Sequence, residues 1–410
     1  MLKGLDKNIR LRALTLFLTQ LISFSVVPNM TVYYNQHFGA FWTGLLLFIT
    51  SAGTLAGALY GGHTSDVLGR KKTINLGQIG MAIGASIAVI ANIPGHVNPL
   101  MAFLGIFVTG IFSANVMPAE QAMLIDLTDD ENRRVVFAVM YWVSNLGMLI
   151  GASIGAWFFR DYLFELLLMM VGLILINFMI VYLGMHETYV KSNSQTSSSA
   201  VKTMLTGYYS VLKDKRYALL IASAVLFAVT PASLDFYLPV HLTESFQVIE
   251  IFGQEIYGQR MFSIVGMINT IIVITLTAVI TKAVKKMQLF NVFATGLLLE
   301  GAGIAMSFIL NNFWPIVVTT LVFSIGEIIE SPAQETIQAS MMDPNRIGAY
   351  SGLNSITFPI SFLIASLLVS ASTFTSNVVI AIVVFTMALI SMILAYVAYK
   401  MPETNRSEGD

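Results

Sequence analysis

The sequence predicts an all-α polytopic membrane protein with 12 transmembrane helices, and its composition and hydropathy pattern carry that prediction. Of its 410 residues, 56% are hydrophobic and only 11% are charged, and the mean hydropathy is +0.75. Soluble domains have about 25% charged residues. The apolar residues also gather in 12 stretches, each of about 20 residues or more, the length that crosses a bilayer as a helix.

The 12 stretches follow one another along the whole chain. We expect spans at about 13–34, 41–62, 73–95, 99–125, 135–158, 162–186, 217–242, 257–281, 288–310, 315–339, 348–372 and 376–399. No small-residue cleavage site follows the first stretch, so we expect a helix that is kept and not a signal peptide.

The basic residues orient these spans. If the N-terminus is cytoplasmic, all of the 22 Lys and Arg residues except Arg160 and Arg260 fall on the cytoplasmic side. This asymmetry is the positive-inside pattern of membrane proteins. We therefore expect a multi-pass protein of the bacterial cell (inner, cytoplasmic) membrane with both termini in the cytoplasm.

Composition also excludes several classes of protein. A formal net charge of -1 offers no basic surface to a nucleic acid, and the lack of Cys excludes disulfides, thiolate nucleophiles and sulfur metal sites. The chain has no HExxH motif, no GxGD-like pair and no phosphate-binding glycine loop. We therefore expect no enzyme activity, no metal site and no nucleic-acid partner.

One long polar connector divides the spans into two sets of six. Residues 191–203 read KSNSQTSSSAVKT, a composition typical of a flexible linker. An internal repeat supports the division, because residues 118–133 of the fourth span resemble residues 332–346 of the tenth. We expect two parallel halves with a transport pathway between them. Their limits are an N-terminal half at 1–190, a cytoplasmic linker at 191–215 and a C-terminal half at 216–410.

Acidic residues lie in the tenth span. Glu327, Glu330 and Glu335 follow the apolar run 315–325. A rise of about 1.5 Å per residue from Pro315 places Glu327 about 18 Å deep, near the middle of a ~30 Å hydrocarbon core. An ionised group at that depth costs about 3 kcal/mol. We interpret these acids as proton-handling groups of a transport pathway; the alternative is a buried polar contact that holds two helices together.

The connector between the second and third spans carries a specific pattern. Residues 61–72 read GGHTSDVLGRKK, and the spacing resembles the signature loop of the major facilitator superfamily at Gly62, Asp66, Gly69, Arg70 and Lys71. The resemblance implies a cytoplasmic latch. In it Asp66 would meet the backbone near 348–351, at the start of the eleventh span, and Arg70 would pair with Asp126. An ordinary positive-inside loop is the alternative interpretation.

Glycines recur at every fourth position of the fifth span. Gly147, Gly151 and Gly155 would allow a partner helix to pack backbone to backbone. Their position resembles the glycine-rich antiporter signature of the same superfamily, although the usual proline is missing. Plain helix packing and a role in sealing the pathway against proton leak both remain open.

A resemblance to the LmrP-type multidrug/proton antiporters covers nearly the whole chain. The segments that carry it are MTVYYNQ (30–36), NIPGHVNP (92–99), ENRRVVF (131–137), YLPVHL (237–242), EIYGQRM (255–261) and GEI with a following Pro (326–332). The resemblance implies export of lipophilic, often cationic drugs in exchange for protons. It also implies carboxylates at Asp66, Asp126, Asp235 and Glu327.

The chain departs from that pattern at two positions. A fifth-span acid is replaced by Met140, and the twelfth span has no acid, whereas Glu120, Glu300 and Glu330 are added. We expect Glu120 and Glu330 to share an inner site. For Glu300 we expect a structural hydrogen bond or a protonated carboxyl.

Asp235 lies in the outward part of the seventh span, and Arg260 begins the eighth span from the same side. We predict an ion pair between them that protonation of Asp235 releases. Asp235, Glu327, Glu330 and Glu120 are thus the candidate proton-coupling and substrate residues, and Arg260 is the outer ion-pair candidate.

These observations predict proton-coupled efflux of lipophilic, often cationic drugs by alternating access between the two halves. A lipid or glycolipid exporter and a proton-coupled nutrient symporter of the same superfamily are the alternatives. The expected partners are small lipophilic substrates and membrane lipids. We expect a monomer with no cofactor, in which protons serve as the coupling ion.

Overall fold

The computed structural model describes residues 6–128, 132–189, 209, 211–342, 350 and 353–401. Helices dominate it. They are α1 (Lys7–Leu68), α2 (Arg70–Ala91), α3 (Pro99–Asp126), α4 (Arg133–Phe158), α5 (Leu163–Met179, continued by a π-helical turn at Ile180–Gly184), α6 (Lys215–Ser245), α7 (Gly258–Val284), α8 (Leu289–Ser307), α9 (Phe313–Met341), α10 (Thr357–Ala371) and α11 (Asn377–Lys400).

Eleven helices among the described residues are long and apolar enough to cross a membrane. The first of them, α1, is 62 residues long and is broken at Gly39, whose φ of 77° lies outside the helical region. An unbroken helix of that length would measure about 90 Å, three times the ~30 Å hydrocarbon core. Because the break falls between the first two predicted spans, α1 supplies both. The prediction of an all-α polytopic membrane protein is confirmed.

Local sequence signals account for several helix ends. Asp6 caps α1 by accepting a hydrogen bond from the Asn8 amide, and Asn98 caps α3 just before Pro99. Gly69 separates α1 from α2 with a φ of 94°, which favours glycine. Most helix limits lie within a few residues of the predicted spans, but α1 begins six residues earlier and ends six residues later than predicted, and α10 begins at Thr357 instead of 348.

Two short antiparallel hairpins interrupt the helical chain. The first pairs Asn92–Ile93 with His96–Val97, and the second pairs Ile249–Ile251 with Gln254–Ile256. Glycines with positive φ, Gly95 and Gly253, lie in the two turns. The all-α prediction contained neither hairpin, because each is shorter than the alternating pattern that identifies a strand.

The chain divides into two compact units. The first contains the described residues before 194 together with Pro239–Thr270 and Val369–Thr373, and the second contains most of the remainder. In the first unit α1, α2, α3 and α5 enclose apolar residues such as Val26, Ala85 and Leu167. In the second unit α8 packs on α9 and α11. The predicted linker falls mostly outside the described residues, so the domain limits stay a prediction.

Candidate functional site

Helices α8 and α9 of the second unit approach each other through two glycines. A Cβ atom on Gly296 would lie 2.8 Å from the Cα and Cβ of Glu330, and one on Gly326 would lie 2.8 Å from the Cα of Glu300. Gly296 therefore faces Glu330, and Gly326 faces Glu300, which is the register of two antiparallel helices. In this register Glu300 and Glu330 lie one helical turn apart along the same contact.

Both of these glutamates are buried. Glu300 is 4% exposed and Glu330 is 2% exposed. Among the described residues, the Oε2 atom of Glu300 and the Oε1 atom of Glu330 have no hydrogen-bond partner. The expected structural hydrogen bond of Glu300 is therefore not made at that oxygen. Burial of an unpartnered carboxylate oxygen makes a negative charge on either side chain costly.

Glu327 and Asp235 extend this group of acids. Glu327 lies one turn before Glu330 on α9 and is half-buried, whereas Asp235 on α6 is exposed. Asp235 lies close enough to Glu327 for their charges to interact, and Glu327 is similarly close to both Glu300 and Glu330. We call Asp235, Glu300, Glu327 and Glu330 the acid group of the second unit. It joins an exposed acid to two buried ones.

Glu120 lies in the first unit, where it has a partner that the sequence analysis missed. Arg12 of α1 donates from Nη1 to Glu120 Oε1 at 2.8 Å and from Nη2 to Oε2 at 2.6 Å, and both side chains are buried. This bidentate geometry is the strongest form of the arginine–carboxylate pair. The positive-inside pattern predicts Arg12 on the cytoplasmic side and indicates no partner for it. A shared site of Glu120 and Glu330 stays a prediction, because the two residues belong to different units.

The signature loop is organised around Arg70. Its Nη1 atom lies 2.8 Å from Asp66 Oδ1 and also donates to Ser65, and its Nε atom lies 3.4 Å from Asp126 Oδ2. The structure thus contains the contact between Arg70 and Asp126 that the resemblance implies, within one unit. The expected contact of Asp66 near 348–351 falls almost wholly outside the described residues. A Cβ atom on Gly62 would meet no atom within 4 Å, so close packing does not require a glycine there.

Glu187, which the sequence analysis did not single out, supports this loop. Its carboxylate accepts hydrogen bonds from the backbone amides of Arg70 at 2.9 Å and Lys71 at 3.1 Å, the first two residues of α2. A carboxylate stabilises a helix N-terminus in this position. Lys71 reaches back to donate to the carbonyl of Met185. The sequence signal was an acid directly after the predicted end of the sixth span, at a separation that no local pattern connects to α2.

Arg260 begins α7 and belongs to the first unit. Its Nη1 atom donates to the carbonyl of Glu255 at 2.6 Å, and its guanidinium lies over the rings of Trp157 and Tyr257. Arg160 lies over the ring of Tyr257 as well. These cation–π contacts stabilise the guanidinium charge, while the buried Nε atom of Arg260 has no hydrogen-bond partner among the described residues. The ion pair of Arg260 with Asp235 stays a prediction.

The three glycines of α4 face the backbone of α1. A Cβ atom on Gly147 would lie 2.8 Å from the Phe17 carbonyl oxygen, and one on Gly155 would lie 2.6 Å from the Ser25 carbonyl oxygen. Gly151 faces the carbonyl of Leu21 between them. Only glycine permits so close an approach along two turns of helix. This geometry shows tight packing, and the structure leaves the role in proton sealing a prediction.

Comparisons with known proteins agree with this architecture. A family model described as Major Facilitator Superfamily matches residues 12–366. A Na(+), Li(+), K(+)/H(+) antiporter of Planococcus maritimus is 28% identical over 377 residues, which cover 89% of each chain. Multidrug resistance protein MdtH of Baumannia cicadellinicola subsp. Homalodisca coagulata is 23% identical over 340 residues, covering 81% of this chain and 76% of that protein.

Solved structures show the same fold at lower identity. A POT family transporter in complex with a thioalcohol-conjugated peptide superposes with a TM-score of 0.77 at 15% identity, over 96% of both chains. The nucleoside transporter NupG superposes with a TM-score of 0.74 at 13% identity, over 96% of this chain and 99% of that one. Helices of membrane length, the signature loop around Arg70 and a family model that spans most of the sequence lead to one conclusion. The chain belongs to the Major Facilitator Superfamily.

Proposed function

We propose that this protein exports lipophilic, often cationic molecules in exchange for protons, by alternating access between two six-helix halves. The observation that carries the proposal is the acid group of the second unit, in which buried Glu300 and Glu330 have unpartnered carboxylate oxygens beside half-buried Glu327. Acids inside a membrane domain are costly and mark ion pathways. The MdtH relative, a multidrug resistance protein by name, supports the choice of cargo.

In the proposed cycle, protons and the cationic cargo compete for the same carboxylates. Asp235 is exposed and Glu327 is half-buried, so these two acids receive protons or cargo first. A negative charge on either attracts a lipophilic cation, and a proton from outside removes that charge and releases the cation. Glu300 and Glu330 are buried more deeply and would hold the proton while the protein changes from its outward-facing to its inward-facing state. Return of the proton to the cytoplasm restores the negative charge.

A second candidate is exchange of monovalent metal cations for protons. The relative from Planococcus maritimus is a Na(+), Li(+), K(+)/H(+) antiporter by name, and it matches nearly the whole chain. Unpartnered carboxylate oxygens at Glu300 and Glu330 are ligands that hard cations accept. Both candidates use the acid group, so they differ in the cargo and not in the coupling residues.

We further propose that the protein lies in the bacterial cell membrane with both termini cytoplasmic. It would act there as a monomer on small lipophilic substrates that partition into the surrounding lipid, with protons as the only coupling ion. The distribution of its basic residues supports this orientation.

Reconstituted protein in liposomes with an imposed pH gradient tests the proposal. We expect wild-type protein to move a fluorescent lipophilic cation against its gradient, and Glu327→Gln to lower the rate tenfold or more, about 1.4 kcal/mol in the barrier. The matched control is Glu165→Gln, which neutralises an exposed acid of α5 outside the acid group. Transport by Glu327→Gln at the wild-type rate would refute the assigned role.

The same liposomes separate the two candidates. A gradient of Na⁺ or K⁺ in place of the dye drives proton movement only if metal cations are carried. Dye transport without cation-driven proton movement supports drug efflux, and the reverse result supports metal cation exchange. If folded, reconstituted protein moves neither the dye nor the metal cations, the lipid exporter or the nutrient symporter is favoured.

A further inference from the structure

The first unit encloses a cavity that the proposed transport cycle does not use. Its volume is about 300 Å³, and its walls come from α1, α2, α3 and α5. Small-molecule sites measure roughly 300 to 1,000 Å³, so the cavity suits a small ligand. Ile22, Ile106, Met170 and Ile174 are among its apolar walls.

Two buried amides line this cavity without full hydrogen bonding. Gln78 is 4% exposed and Asn177 is 3% exposed. Within the described residues, neither the Oε1 atom of Gln78 nor the Oδ1 atom of Asn177 accepts a hydrogen bond. The Asn177 amide nitrogen does donate, to Thr19 Oγ1 at 3.0 Å. A buried polar atom that lacks a partner costs about 1–3 kcal/mol, so the cavity favours an occupant that supplies donors.

The hydroxyl groups of the cavity also act as acceptors. Thr50, Thr54 and Thr109 each donate their hydroxyl proton to a backbone carbonyl one turn earlier on their own helix, at 2.9 to 3.0 Å. Because the hydroxyl protons are already donated, these oxygens can only accept a hydrogen bond from a ligand. The lone pairs of these hydroxyls and the unpartnered oxygens of Gln78 and Asn177 are acceptors that the cavity offers to a ligand.

The cavity lining also contains a carboxylate, which is already paired with an arginine. Glu120 is the one charged residue among the lining residues, and Arg12 occupies one lone pair on each of its oxygens. A carboxylate has about four acceptor sites, so Glu120 keeps acceptors for a second cation.

We propose that the cavity of the first unit binds a small lipophilic primary or secondary amine in its protonated form. The two or three N–H groups of the ammonium donate to the amide oxygens of Gln78 and Asn177 and, where a third is present, to Glu120, while the carbon chain lies against the isoleucine and methionine walls. A quaternary ammonium has the same charge but no N–H donor, and it leaves the amides unpartnered. The inference goes beyond the proposed function, because this cavity lies in the first unit and the proposed cycle uses the acid group of the second.

Titration calorimetry on the purified full-length protein tests this with two matched probes, 4-phenylbutylammonium and (4-phenylbutyl)trimethylammonium. The probes share their aryl chain and their charge. We expect wild-type protein to bind the primary ammonium about tenfold more tightly than the quaternary one. No binding of the primary ammonium up to about 1 mM, or equal affinity for both probes, would overturn the inference.

Variants locate the binding to the cavity. Gln78→Leu removes an amide whose Oε1 is unpartnered, so we expect the fold to survive, the affinity for the primary ammonium to fall about fivefold and that for the quaternary probe to stay unchanged. Ala114→Leu narrows the cavity and should weaken binding of the primary ammonium without loss of thermal stability. The matched control is Gln20→Leu, at a glutamine of the same unit that bonds Ser144 and does not line the cavity.

The variants show whether the amine binds in this cavity. A Gln78→Leu protein that binds the primary ammonium as wild type does, or a Gln20→Leu protein that loses it equally, would place the amine elsewhere. The calorimetry needs no gradient and no transport. Amine binding in a protein that moves no cargo would therefore reject the proposed function and keep the site, and transport without amine binding would reject the site alone.

Discussion

At the scale of single residues, a buried ion pair has the largest energetic consequence. Arg12 and Glu120 meet through two short hydrogen bonds inside the first unit, where 9% and 11% of their side chains are exposed. Such a pair adds little net stability relative to apolar residues of similar size, but loss of one partner leaves an uncompensated charge. The pair joins α1 to α3.

We predict that Arg12→Met or Glu120→Met alone lowers stability by about 3–5 kcal/mol, because either change leaves one buried charge unpaired. The double variant should recover most of the loss. Thermal unfolding in detergent, measured at one scan rate for all proteins, checks this order. A double variant less stable than both single variants would show that the two residues do not act as a pair.

Arg260 can act through its charge or through stacking on aromatic rings, and two substitutions distinguish these roles. The structure shows cation–π contacts with Trp157 and Tyr257, and the sequence predicts a charge interaction with Asp235. If charge is what matters, Arg260→Lys should keep substrate-stimulated proton uptake in liposomes while Arg260→Ala lowers it severalfold. If the planar stack matters, both variants lose uptake, because lysine cannot stack as a guanidinium does. Unchanged uptake in Arg260→Ala would count against both.

At the scale of helices, glycine allows the closest contacts in both units. Gly147, Gly151 and Gly155 bring α4 against α1, and Gly296 and Gly326 bring α8 against α9. Apolar side chains gain little from contact with each other inside lipid, so packing depends on close fit. In the second unit the same close fit sets Glu300 and Glu330 one turn apart, so helix packing creates the buried part of the acid group.

We predict that Gly151→Ala destabilises the protein by about 1–3 kcal/mol, since the added Cβ overlaps the Leu21 carbonyl and must push α4 away from α1. The matched control is Gly172→Ala in α5, where a Cβ atom meets nothing within 4 Å. There alanine should leave the apparent Tm unchanged or raise it, because alanine favours a helix. Equal apparent Tm values for the two variants would contradict the packing argument.

At the scale of the whole molecule, membrane orientation links charge distribution to transport direction. Basic residues lie almost entirely on one side of the predicted topology, with only Arg160 and Arg260 on the other. The proposed direction of proton flow has meaning only if that side is the cytoplasm.

We predict that a fluorescent protein fused after residue 410 is bright in cells and that alkaline phosphatase fused there is inactive, as for a cytoplasmic C-terminus. The same pair of reporters fused after residue 161, between the fifth and sixth spans, provides the control and should give the opposite signals. Phosphatase activity at the C-terminus would overturn the topology and, with it, the proposed direction of exchange.

Much of the architecture could be predicted because it depends on local composition. A bilayer offers no hydrogen bonds to the backbone, so each apolar stretch of sufficient length must form a helix. Most predicted spans therefore match the helices, with differences of six to nine residues at α1 and α10, and Gly39 and Gly69 mark breaks where their backbone angles favour glycine. The acids of the ninth and tenth spans were likewise visible, because a charged residue is conspicuous in an apolar stretch.

Sequence alone determined that the chain is a polytopic membrane protein, where its spans lie and which acids they contain. The packing of the helices was needed to establish which side chains meet. It paired Arg12 with Glu120, set Glu187 at the start of α2, placed Glu300 beside Glu330, and left Gln78 partly unpartnered at a cavity wall. The reason is physical. Helix formation in a membrane is a local response to hydropathy, whereas partners separated by 108 or more residues, such as Arg12 and Glu120, meet only through the register in which whole helices pack.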